Sequence, residues 1–202
     1  MCNILGQIFG LQKREVDLCD ELAGQGYIAV AVDTFDGKSS TWIPRAITFV
    51  YQKALTEEGD YGVPQVDAAV RWIRSQEWGQ TARMAVAGFC YGGGCSIRYA
   101  VQHPDDLQAA VVFYGRPVNA EQARQLRCPV LGIYGTSDSQ FPKETVDAFE
   151  TALSTLLVDT KVERYLDQKH AFVTDLEAIK KGGPPAAAWN SFLDFLDVHM
   201  KP

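Results

Sequence analysis

The sequence predicts an α/β fold in which a mostly parallel sheet carries helices on both faces. Three observations point there. Short, almost continuously apolar runs rich in Val, Ile and Tyr recur along the 202 residues, as strands covered on both faces require. Segments with apolar residues at helical spacing alternate with those runs. A glycine-flanked turn, GFCYG at 88–92, joins one run directly to one such segment.

The strand-like runs are 27–33 (YIAVAVD), 83–89 (RMAVAGF), 109–115 (AAVVFYG), 129–135 (PVLGIYG) and the more polar 161–167 (KVERYLD). The first helix is expected over 13–26, with Val16, Cys19, Leu22 and Ala23 on its apolar face and Gly24 and Gly26 closing it. The second opens with Pro64 and repeats Val66, Ala69, Val70 and Ile73. A third follows Cys90. A fourth starts at Pro142 with Val146, Phe149 and Leu153, and a last places Trp189, Phe192, Leu193 and Leu196 along 184–200. No repeat or low-complexity tract interrupts the alternation. One domain spanning 1–202 is therefore expected. Its segment 34–62 would be an excursion over the strand ends, with a helix near 45–56.

Composition narrows the function. A hydrophobic share of 47% with 22% charged residues is that of a globular protein. A net charge of −6 and a pI near 5.1 argue against nucleic acid as partner. No apolar run approaches the roughly 20 residues that span a bilayer, and the N-terminus does not read as a signal peptide. Cys2, Cys19, Cys90, Cys95 and Cys128 form an odd set without framework spacing, which fits reduced thiols in the cytoplasm. Neither C-x-x-C pairs nor histidine spacing offers a metal site, so no metal is expected.

The chemistry concentrates at Cys90. Gly88 and Gly92 give G-x-nucleophile-x-G between a strand and a helix, where residues lacking Cβ relieve the crowding of a sharp turn. The thiol then sits at a helix N-terminus, which favours thiolate, and the Tyr91 NH points to where an oxyanion would form. Gly93 and Gly94 would let the helix approach the sheet.

A thiol nucleophile needs a base, and the base an orienting acid. His103 precedes a helix-ending Pro104, and His199 lies three residues from the terminus, so both are expected in solvent. His170 directly follows the last strand. Asp138 follows the strand 129–135, whereas Asp147, Asp159 and Asp167 read as solubilising residues. The order Cys90, Asp138, His170 is the nucleophile–acid–histidine order of α/β-hydrolases. Cys19, Cys95 and Cys128 read as buried filler.

With these residues in place, QIFGLQKREVDLCDELAGQGYIAVAVD, GFCYGGG, FYG, GTSDSQFP and KHAF resemble the dienelactone hydrolases, cysteine-dependent α/β-hydrolases, over nearly the whole chain. The resemblance implies an α/β-hydrolase fold, a Cys90–His170–Asp138 triad, hydrolysis of a small ester or lactone, and no cofactor. It further implies an oxyanion hole from the backbone NH groups of Ile8 and Tyr91. Three departures stand out. Gln7 occupies the place of a family glutamate, and Thr174 that of an arginine for the substrate carboxylate. The sheet is N-terminally shortened, with CNIL as its first strand.

Substrate-binding residues are expected among Gln7, Arg45, Tyr114, Arg116 and Phe141, with Trp42 and Tyr91 adding aromatic surface. The pocket should be compact and largely apolar, accept short acyl groups, and tolerate anions through Arg45 or Arg116. With no carboxylate at position 7, Cys90 should rest largely as a thiolate paired with imidazolium. The strand 27–33 should lie at the sheet edge, an exposure to be covered by a helix, a loop or the second subunit of a homodimer. The competing readings are a non-catalytic module of the same fold and a class I glutamine amidotransferase. Against the latter, Gly94 and Phe172 stand where that enzyme's glutamine and glutamate would be.

Overall fold

The computed structural model describes residues 2–5, 11–38, 48 and 60–201. All of the expected helix near 45–56 except residue 48, and most of the 34–62 excursion, lie outside the described residues. Among the described residues six strands form one parallel sheet: β1 (Cys2–Leu5), β2 (Ala29–Val32), β3 (Ala85–Phe89), β4 (Ala109–Phe113), β5 (Val130–Gly135) and β6 (Thr160–Tyr165). Their order across the sheet is β2-β1-β3-β4-β5-β6. Every pairing is parallel, with Gly88 opposite Val112 and Phe113 opposite Ile133.

The apolar runs explain that order. β3, β4 and β5 are buried along their whole length and take the centre. β6, which alternates charged and apolar residues, is half-exposed at one edge. β2 forms the other edge, as expected for the strand 27–33.

The helices are α1 (Lys13–Gly24), α2 (Val63–Ser75), α3 (Tyr91–Gln102), α4 (Ala120–Ala123), α5 (Lys143–Leu153), α6 (Leu176–Lys180) and α7 (Gly183–Met200). α1 packs on β1 and β2 and against α6, while α7 packs on β4 and β5. α3 packs on β1, β3 and β4 with α2 outside it, and α5 packs on β6. One apolar cluster runs through these layers.

The face of α1 departs from expectation. Val16 is exposed, and the buried positions are Glu15, Leu18 and Leu22. A capping box sets this rotation: the Glu15 side chain accepts from the Gln12 NH at 3.1 Å, while the Glu15 NH bonds back to Gln12. Arg14 beside it neutralises the buried carboxylate at 2.8 Å.

Candidate active site

Cys90 sits between β3 and α3 with φ 54° and ψ −116°. A side chain other than glycine rarely adopts that conformation, which persists only where its surroundings enforce it. Here the Cys90 NH donates to the Phe113 carbonyl at 2.9 Å, and the Cys90 carbonyl accepts from the Gly94 NH at 3.2 Å. Glycine at 88 is obligatory, because a Cβ there would lie 2.0 Å from the Gly92 carbonyl oxygen. At Gly93, a Cβ would meet the Gly115 Cα at 3.0 Å, so the helix does approach the sheet closely. Gly88→Ala is expected to destabilise the protein by about 3 kcal/mol through overpacking. That is a fall of about 6–12 °C in the unfolding midpoint, measurable by calorimetry. An unchanged midpoint would contradict the crowding.

Asp138 and His170 come from neighbouring strand ends that are stitched together. The Thr136 NH donates to the Tyr165 carbonyl at 3.0 Å, the Ser137 NH to the Gln168 carbonyl at 2.9 Å, and the Asp167 NH to Thr136 Oγ1 at 2.8 Å. Gly135 permits this approach: a Cβ there would fall 2.2 Å from the Gln168 carbonyl oxygen. The chain turns through positive φ at Asp167 and Ala171, aiming His170 inward.

Sequence reasoning named these three residues, and the structure brings them together. His170 Nε2 lies 3.1 Å from Cys90 Sγ, and His170 Nδ1 lies 2.8 Å from Asp138 Oδ2. Asp138 Oδ1 accepts from the Gln140 NH at 2.7 Å and the Phe141 NH at 3.2 Å. Burial of Asp138 works against its charge, but the His170 bond and these amides outweigh it and hold the carboxyl below its usual range. Burial likewise disfavours a charged His170. Bonds to Asp138 and Cys90 override that and raise the imidazole from 6.5 to about 9.

A pH test follows. By NMR, the His170 ring is expected to titrate near 9. In Cys90→Ala the midpoint is expected to fall, because the sulfur's hydrogen bond and negative charge both favour imidazolium. An unchanged or raised midpoint in the variant would contradict the coupling.

A cavity of about 900 Å³ opens beside Cys90 among the described residues. Its walls include Tyr61, Tyr91, Arg116, Gln140, Phe141 and Glu144. It is roomier than the compact pocket expected, and its lining is largely apolar, as expected. Phe141 and Arg116 are where the sequence pointed. Tyr114 is not: its side chain is fully buried, its hydroxyl donates to the Val173 carbonyl at 2.9 Å, and its ring packs edge-on against His170. The residue follows β4 at φ 38°, which turns the side chain under the histidine instead of into the cavity. Gln7, Ile8, Arg45 and Trp42 lie outside the described residues. Tyr91 is the first residue of α3, so its NH belongs to the turn of amides that a helix leaves without internal partners.

His199 is a further correction. It is not free in solvent but half-buried, with Nε2 3.0 Å from Asp159 Oδ2. Cys95 and Cys128 are buried and Cys19 half-buried, all three as free thiols. Burial, with Asp20 and Glu15 adding to it, raises the Cys19 thiol to about 11, and burial raises Cys128 to about 12. Among the described residues no three His, Cys, Asp or Glu side chains gather as metal ligands. No described helix is long and apolar enough to cross a membrane.

Sequence reasoning missed Tyr61, Gln140 and Glu144 as cavity walls. It also missed Arg98, which braces that wall from behind. Its guanidinium lies 3.9 Å over the Tyr61 ring and donates to the carbonyls of Gly94, Arg116 and Pro117. The arginine in SIRYA carries no motif, and only its position two turns beyond Cys90 on the same helix signals this site.

Comparison with known proteins agrees with this geometry. The model of the dienelactone hydrolase family matches residues 3–200. A Yersinia pestis protein named "Putative carboxymethylenebutenolidase" is 29% identical over 97% of this chain and 77% of its own length. The crystal structure titled as a putative dienelactone hydrolase from Klebsiella pneumoniae superposes with a TM-score of 0.79 at 26% identity, covering 96% of this chain and 84% of the other. The structure titled m3DLH shares the fold with a TM-score of 0.84 at 22% identity, over 99% and 86% of the two chains. The amidotransferase and non-catalytic readings give way to these matches. The chain belongs to the dienelactone hydrolase family, ester and lactone hydrolases of the α/β-hydrolase fold.

Proposed function

We propose that Cys90 is the nucleophile of this hydrolase and that it cleaves short carboxylic esters or lactones through a thioester acyl-enzyme. The observation that carries this reading is the unbroken chain from sulfur through imidazole to carboxylate, at 3.1 and 2.8 Å. His170, raised against the cost of burial by its bonds to Asp138 and Cys90, takes the proton of the thiol. Sulfur attacks the carbonyl carbon, and the oxyanion takes hydrogen bonds from the NH groups of Tyr91 and Ile8. The C–O bond then breaks, and His170 Nε2 gives its proton to the departing oxygen. His170 next accepts a proton from water, whose oxygen attacks the thioester. The C–S bond breaks, releasing the acid and restoring the thiolate. Asp138 holds the ring so that Nε2 faces sulfur throughout.

Arg116, exposed on the cavity wall, supports acceptance of anionic acyl or leaving groups, a role proposed for Arg45 as well. Glu144 on the same cavity opposes them and favours substrates with a single, well-placed charge. Free thiols at Cys19, Cys90, Cys95 and Cys128 suit a cytoplasmic setting. The test is pre-steady-state hydrolysis of nitrophenyl acetate with substrate in excess over enzyme. A burst of nitrophenol and an acetyl group on the Cys90 peptide are expected. Turnover with no acyl group on Cys90 would reject the covalent route. Arg116→Ala and Arg45→Ala together should narrow the preference for anionic over neutral esters.

A further inference from the structure

Arg14, on the first turn of α1, touches both halves of the site although it reaches neither the cavity nor the triad. Its Nε donates to the Thr174 carbonyl at 2.5 Å, and one terminal nitrogen donates to the Val173 carbonyl at 3.0 Å. The guanidinium plane lies 4.2 Å over the ring of Phe89, the residue directly before Cys90. Its remaining nitrogen pairs with Glu15 at 2.8 Å, a carboxylate only 2% exposed. The Val173 carbonyl also accepts from the Tyr114 hydroxyl, and the Tyr114 ring packs edge-on against His170 at 5.3 Å between centroids.

Three donors thus converge on two consecutive carbonyls, three and four residues after His170. That loop needs such fixing. Ala171 sits at φ 59°, a conformation that side-chain-bearing residues adopt only when held, and the loop carries no regular structure between β6 and α6. A planar fork can grip both carbonyls and stack on an aromatic ring at once, which a lysine cannot do.

We propose that Arg14, with Tyr114 as its partner on the Val173 carbonyl, is a positioning residue that sets the distance between His170 and Cys90. The proposal rests on the triad reading above. Glu15 serves it indirectly, by fixing one side of the guanidinium. Arg14 acts through the histidine loop and meets no substrate, so its loss should lower kcat and leave KM almost unchanged.

The test compares Arg14→Lys, Arg14→Ala and Tyr114→Phe with His170→Ala, using nitrophenyl acetate and NMR of the His170 ring. Arg14→Ala is expected to lower kcat about 100-fold, the scale of a misplacement near 1 Å. Arg14→Lys should recover little of that loss. Tyr114→Phe, which removes one hydrogen bond, is expected to cost about tenfold. The His170 midpoint should fall from about 9 toward its ordinary value in each folded variant, as the ring drifts from its two partners. Added guanidinium ion should restore part of the activity of Arg14→Ala. Since Arg14→Ala strands a buried Glu15 and can unfold the chain, Tyr114→Phe and Arg14→Lys keep the proposal testable. Wild-type kcat and an unmoved His170 midpoint in those two variants would overturn it. So would losses of kcat that track unfolding alone. Activity surviving in His170→Ala would instead reject the triad, a result distinguishable from any of these.

Discussion

Cys90→Ala is expected to lower kcat for nitrophenyl acetate by about 10⁴-fold or more, down to what substrate binding and the oxyanion amides supply by themselves. The size follows from the role proposed for sulfur: without it no acyl-enzyme forms, and the histidine and aspartate have nothing to activate. Alanine keeps the Cβ and hence the same backbone cost at φ 54°, so the unfolding midpoint should barely move. Steady-state kinetics beside calorimetry tests both halves. A variant that is stable and still turns over within tenfold of wild type would show that the thiol is not the nucleophile.

Asp138→Asn should cost about as much, near 10⁴-fold in kcat, by a different route. The loop after β5 hangs on Asp138 Oδ1, which accepts from the amides of Gln140 and Phe141. An asparagine placing its carbonyl oxygen there preserves the loop and turns its NH₂ toward His170 Nδ1. That nitrogen must then accept, so Nε2 carries the hydrogen and can no longer take a proton from sulfur. The variant should fold normally, lose activity, and alkylate with iodoacetamide more slowly than wild type near neutral pH, since the imidazolium that stabilises a thiolate is gone. Rapid alkylation at wild-type rate would mean that Asp138 does not govern the ring.

The parts of this arrangement legible in the sequence are those written locally. GFCYG announces its turn because the steric need falls on residues only four apart, and the structure answers with a 2.0 Å approach at Gly88. Asp138 and His170 were readable because each directly follows a strand run and because parallel topology gathers such ends at one edge. The exposed face of α1 was misjudged because hydropathy cannot register a glutamate buried by its own capping box and a neighbouring arginine. Tyr114 was placed in the pocket because its location at a strand end was visible while its left-handed backbone was not. Arg14 and Arg98 escaped notice for a related reason. Each grips main-chain carbonyls, which carry no sequence signature, and the Arg14 partners lie 159 and 160 residues away along the chain.

The unequal tolerances around Cys90 bear on how such a protein can diverge. At the Cys90 turn, backbone meets backbone, and a single added carbon at Gly88 has nowhere to go. The cavity wall opposite is a different material: side chains of the 116–120 segment and of one face of α5, several of them open to solvent. Inheritance can therefore edit the two separately. Substitutions along the wall alter which substrate fits while the fold survives, whereas a side chain added at Gly88 disrupts site and fold together. A lineage built this way keeps one chemistry and samples many substrates.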